Sequence, residues 1–153
     1  MKVVICGNFD TGNLGDEAIC EVVEAVLKRV YPKASVEVMG KGKLFPFGLR
    51  TFFRAIFTPS RFSEPLKCIR SCDVFILSGG LFSDEEGSFV SLFWVLHGLL
   101  AVFLGKKACC LGVSIGKQRP YSRLLLKKLL KHSEHVFVRD AASQKLALSW
   151  GAP

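Results

Sequence analysis

The chain predicts an α/β fold, a parallel sheet with helices packed on both of its faces. Three observations carry this reading. Short apolar runs alternate with longer stretches of helical periodicity, and the connections between them are short and punctuated by glycine. Residues 73–78, Asp-Val-Phe-Ile-Leu-Ser, carry an apolar run without alternation, as a strand covered on both faces must. The strand–helix order continues along the chain, so right-handed crossovers bring the strands together in parallel.

Each element has its own justification. Lys2–Cys6 is a β-branched run that stops at Gly7, and a loop punctuated by Gly7, Gly12 and Gly15 leads away from it. Ala18, Ile19, Val22, Val23, Val26, Leu27 and Val30 then recur at helical spacing. Asp16 and Glu17 in the first turn and Lys28 and Arg29 in the last suit the helix dipole, and Pro32 closes the helix. Ser35–Met39 reads as the second strand and residues 73–78 as the third. After them come a helix over about residues 88–104, a strand at 108–113, a helix at 121–131, a strand at His135–Val138 and a helix at 141–150.

Two segments admit more than one reading. In residues 41–67, Phe45, Phe47, Phe52, Phe53, Phe57 and Phe62 interleave with Lys43, Arg50, Arg54, Arg61 and Lys67. A crossover helix near residues 49–57 with an aromatic face on the core explains the pattern; a surface for a lipid-linked sugar phosphate is the alternative. Nucleic acid is not favoured, because no recognition motif accompanies the basic residues. The stretch at 89–104 falls short of the roughly 18 to 20 apolar residues a membrane span needs, and Ser91, His97 and Gly98 interrupt it. It reads as a buried helix, with an interfacial helix as the alternative because of Phe89, Phe93, Trp94 and Phe103.

Composition bounds the function classes. The 153 residues suit one domain, and 50% hydrophobic with 22% charged residues excludes a disordered chain. A net charge of +8 favours an anionic partner. The six cysteines, Cys6, Cys20, Cys68, Cys72, Cys109 and Cys110, are scattered through apolar runs and read as free buried thiols. Cys68 and Cys72 have no second pair and no nearby histidine, so no metal site is expected. The apolar run at the N-terminus is too short for a signal-peptide core, and a reducing cytoplasm is expected.

The candidate site lies where the chain leaves the strands. In an open parallel sheet, ligands bind at the carboxyl ends of strands. The first loop has the spacing G-x4-G-x2-G, which matches neither the dinucleotide fingerprint nor a phosphate loop. Asp16 and Glu17 put carboxylates where a phosphate would otherwise sit, so a sugar hydroxyl suits that corner better. Taken singly, Asn13 and Asp16 read as helix caps rather than ligands, because short polar side chains satisfy the free amides there.

The whole string is more specific. Gly12-Asn13-Leu14-Gly15-Asp16-Glu17-Ala18 after the first strand resembles the opening Gly-Asn-x-Gly-Asp-Glu-Ala loop of the polysaccharide pyruvyl transferase family. Ser78-Gly79-Gly80-Leu81-Phe82-Ser83-Asp84 is similar to that family's glycine turn after the third strand, shortened here from the usual three glycines and a serine. Gly112-Val113-Ser114-Ile115-Gly116 resembles its Ser-Ile-Gly turn, with Lys117 in place of the usual proline. Val138-Arg139-Asp140 with Ser143 is similar to its Arg-Asp-x-x-Ser at a helix start.

The resemblance implies a Rossmann-like domain, residues 1–153, forming the N-terminal half of a glycosyltransferase-B type fold and truncated near residue 153. It implies transfer of a pyruvyl group from phosphoenolpyruvate, the co-substrate, to a sugar or lipid-linked saccharide of an envelope or extracellular polysaccharide. No other cofactor is implied. Gly12, Asn13, Gly15, Asp16, Glu17, Gly79, Gly80, Ser114 and Arg139 are the implied substrate-binding residues. The catalytic histidine and the basic residues for phosphoenolpyruvate are expected beyond Pro153, and His97, His132 and His135 read as structural or surface residues. The remaining alternatives are a nucleotide-sugar glycosyltransferase of the same architecture and a non-catalytic binding module. The implied place is the cytoplasm, with contact at the inner membrane face.

Overall fold

A computed structural model describes residues 1–9, 12–40, 60–80, 82–85 and 90–153. The elements run β1 (Lys2–Cys6), α1 (Leu14–Val30), β2 (Ser35–Met39), α2 (Ser60–Ser71), β3 (Val74–Ser78), α3 (Val90–Phe103), β4 (Lys107–Val113), α4 (Pro120–Lys131), β5 (His135–Val138) and α5 (Ala141–Ser149). The five strands form one all-parallel sheet in the order β2-β1-β3-β4-β5. This is the Rossmann-like arrangement the alternation predicts. Chain order reverses direction at β1, where the crossover through α1 runs one way and every later crossover runs the other.

That reversal decides which helix covers which face. Val4, Cys6, Phe75, Leu77 and Cys110 point to one face, where α2 contributes Cys68 and Ile69, α3 Trp94, Val95 and Ala101, α4 Leu126, Leu129 and Leu130, and α5 Ala147. Ile5 points to the other, where Cys20 and Val23 of α1 join Phe9. Strand residues alternate between the two layers because their side chains have a period of two. The large layer is tight where α3 crosses α4. A β-carbon on Gly98 would lie 2.7 Å from Leu77 and 2.8 Å from Leu129, so the helix needs glycine there.

Several expectations change. The crossover helix expected near residues 49–57 lies outside the described residues, and α2 is a helix the pattern did not announce. Its interior Pro65 is the reason, since proline normally marks a helix boundary. The segment read as a buried helix is buried on one side only: Trp94, Val95, His97 and Ala101 face the core, while Leu96 is 41% and Phe103 84% exposed. Cys109 is half-buried where a buried thiol was expected, because it shares the face of Ile5 and Leu111, whose buried cluster is the smaller of the two. None of the six cysteines is in a disulfide, and burial pushes the Cys110 thiol up to about 12 and Cys6 well above its usual range.

Candidate functional site

The loop after β1 is organised by its own polar side chains. Asn13 caps α1: its Oδ1 accepts from the Gly15 N–H at 3.0 Å and its carbonyl from the Glu17 N–H at 3.1 Å. The Asn8 amide donates to Asp16 Oδ2 at 3.0 Å, and the Gly12 N–H donates to Glu17 Oε1 at 3.1 Å. Both carboxylates therefore reach back to the strand-to-helix turn and hold it, one through the Asn8 side chain and one through the backbone just before the N-cap. Of the two roles the sequence allowed for these residues, the geometry displays loop organisation.

The turns after β3, β4 and β5 are joined to one another. A parallel bridge between Phe82 and Ile115 continues the β3–β4 pairing past the strands, and the Gly116 N–H donates to the Phe82 carbonyl at 2.8 Å. Asp84 accepts from the Ser91 N–H at 3.1 Å and the Arg119 N–H at 3.0 Å, fixing the start of α3 against the start of α4. Between Leu111 and Val113 the β4–β5 register slips at Gly112, whose φ of 65° is left-handed. This bulge re-aims the end of β4 toward the site.

Ser143 ties in the last turn. Its buried hydroxyl accepts from the Ile115 N–H at 2.8 Å and donates to Asp140 Oδ2 at 2.7 Å, while Asp140 Oδ1 takes the Ser143 N–H at 2.8 Å and so caps α5. The two bonds from Ser143 hold the Asp140 carboxyl below its usual range. The Arg-Asp-x-x-Ser string is thus a cap and a clamp, with Arg139 left to face outward.

These ties bring three of the sequence-marked residues together. A β-carbon placed on Gly80 would lie 3.5 Å from a guanidinium nitrogen of Arg139 and 3.8 Å from Ser114 Oγ. Gly80 and Arg139 are exposed and Ser114 half-buried. Gly79, buried beside them at φ 106°, makes the turn that presents Gly80. A forked cation and a hydroxyl over bare glycine backbone suit the oxygens of a carboxylate or phosphate. A groove of about 350 Å³ flanks this corner along β5 and α5, with Arg139, Asp140 and Gln144 among its walls.

The histidines stand elsewhere. His97 is buried in α3, donates through Nδ1 to the Phe93 carbonyl at 2.8 Å, and is lowered to about 4 by burial. His132 follows α4 and His135 opens β5, at the end of the strand opposite the corner. Among the described residues no group of three histidine, cysteine or acidic side chains is placed to hold a metal.

The order of the joined turns agrees with a family model described as polysaccharide pyruvyl transferase, which matches residues 13–153. The chain belongs to the polysaccharide pyruvyl transferase family. The family is one of transferases, and the match takes in Asn13, Gly15, Asp16, Glu17, Gly79, Gly80, Ser114 and Arg139, with Gly12 just before it. A comparison with curated proteins gives no significant match. Asn8, Asp84 and Ser143 hold the pyruvyl transferase turns without having been marked as site residues. Asp84 and Ser143 lay inside the recognised strings; for Asn8 only its place after a strand could have signalled it.

Proposed function

We propose that this domain binds the anionic donor in a pyruvyl transferase that uses phosphoenolpyruvate and forms a ketal on a sugar. The convergence of Gly80, Ser114 and Arg139 carries the reading: the guanidinium fork pairs with the donor's carboxylate or phosphate, and Ser114 donates a further hydrogen bond. In the reaction, a proton adds to the methylene carbon of phosphoenolpyruvate and a sugar hydroxyl adds to the adjacent enol carbon. Inorganic phosphate leaves, and a second hydroxyl of the same sugar closes the ketal. The described histidines stand away from the corner, so none of them is assigned as the acid for that first proton. The acceptor is a sugar or lipid-linked saccharide of an envelope polysaccharide, handled in the cytoplasm.

The test is phosphate release. Protein incubated with phosphoenolpyruvate and a panel of saccharide acceptors should release phosphate in proportion to acceptor, and the product should gain the mass of a pyruvyl ketal. Saturable binding of a nucleotide-sugar that Arg139→Ala abolishes, without any phosphate release from phosphoenolpyruvate, would instead identify a glycosyltransferase.

A further inference from the structure

We propose that the outer face of the α3/α4 layer docks on an anionic lipid bilayer. The helix α3 carries no charged residue anywhere along VSLFWVLHGLLAVF, which is the composition of a helix covered on all sides. Yet its outward positions are open, with Leu96 41% and Phe103 84% exposed. Beside it α4 presents Tyr121 at 38% and Leu124 at 70% exposure. The two helices run side by side, in contact where Gly98 meets Leu129.

Charge selects the occupant. Arg123, Lys127, Lys128 and Lys131 lie on α4 with no acidic residue in the helix; Lys117 and Arg119 precede it, and Lys106 and Lys107 follow α3. Across the sheet, α1 carries Asp16, Glu17, Glu21 and Glu24 against Lys28 and Arg29. Both flanks expose apolar side chains, Val22, Val26 and Val30 among them on α1, and it is charge that separates them, basic on α4 and acidic over the first turns of α1. Exposed aromatic and leucine side chains among lysines fit the boundary between acyl chains and anionic headgroups. A two-fold contact with a second copy would set the cations of α4 against themselves. Among the described residues no helix is long and apolar enough to cross a membrane, so the contact is peripheral. The corner at Gly80, Ser114 and Arg139 lies at the carboxyl ends of the strands, and none of its three residues belongs to α3 or α4.

Flotation of the full chain with phosphatidylcholine vesicles, and with phosphatidylcholine–phosphatidylglycerol vesicles, tests this. Binding should require the anionic lipid and weaken with salt. K128Q/K131Q should lower the partition coefficient about 30-fold, at roughly fivefold per lysine, and F103S/L124S about tenfold or more. V22S/V26S on the acidic flank, where Val22 is 62% and Val26 53% exposed, should leave it unchanged. All these sites are exposed, and circular dichroism confirms folding of each variant. Any of the following overturns the proposal: no flotation with anionic vesicles, equal flotation with neutral ones, a dimer that F103S/L124S converts to monomer, or lysine-dependent binding of RNA without binding of vesicles.

Discussion

The loop after β1 and the corner formed by the turns after β3, β4 and β5 use similar materials to opposite ends. Both stand at the carboxyl ends of strands, and both combine glycine, short polar side chains and charge. In the loop, Asn13, Asp16 and Glu17 are engaged with Gly15, Asn8 and Gly12, all within the loop or beside it. In the corner Asp84, Asp140 and Ser143 use their polar bonds to join one turn to the next, and Arg139 and Ser114 are held facing Gly80. A charged side chain at a strand end is therefore no measure of ligand binding. What matters is whether its bonds are already made inside the protein.

Four measurements would break or sharpen this contrast. The largest effect is expected at Arg139. Its replacement by alanine should reduce phosphate release from phosphoenolpyruvate by about 100- to 1000-fold with the melting temperature unchanged, and lysine should restore only part of the rate because it lacks the fork. A fall in stability with the rate intact would make the arginine structural, and the contrast would fail.

Acid separates core from corner. His97 is neutral and buried in the fold, so its protonated form favours the unfolded chain. Stability is unaffected above the unfolded value of 6.5, falls as pH drops from 6.5 toward about 4, and by then has lost roughly 3 kcal/mol. The Asp140 contribution has the same sign in a lower window: its lowered carboxyl stabilises the fold above 3.8, and that stability is lost as pH falls further. Urea midpoints measured at intervals between pH 7 and pH 4 should therefore slope downward in the native chain and lie flat in His97→Leu. A native chain without that slope would remove His97 from the account.

Ser143→Ala should cost about 2 kcal/mol in denaturant titration, because the buried Ile115 N–H loses its acceptor and Asp140 one of its donors. Activity should fall with it, since Ser114 adjoins Ile115. The smallest effect belongs to the first loop, where Asn13→Ala removes a helix cap worth about 1 kcal/mol and should change the rate only a few-fold. If that variant kept its melting temperature and lost phosphate release, the loop would be a substrate site after all.

Much of this was legible in the chain. β1, β2 and β5 have the bounds their apolar runs announce, and β3 and β4 differ by one residue, because strands covered by helices are continuous in sequence. The helix α2 was not legible, since Pro65 interrupts the pattern that Cys68 and Ile69 complete only against the sheet. Gly80, Ser114 and Arg139 could each be marked from their position after a strand, whereas their proximity could not. It depends on β3, β4 and β5 being neighbours in the sheet and on the slip at Gly112.

By itself the sequence determined the alternation of strands and helices, the parallel α/β class and the four turn motifs of the family, because each is a property of neighbouring residues. The tertiary structure alone decided which polar groups are engaged in bonds within the protein and which are gathered at the corner of Gly80, Ser114 and Arg139. The bonds that decide it, Ile115 to Ser143 and Arg119 to Asp84, join residues far apart in the chain. Such partners are selected by strand order and register, and only the folded sheet sets those.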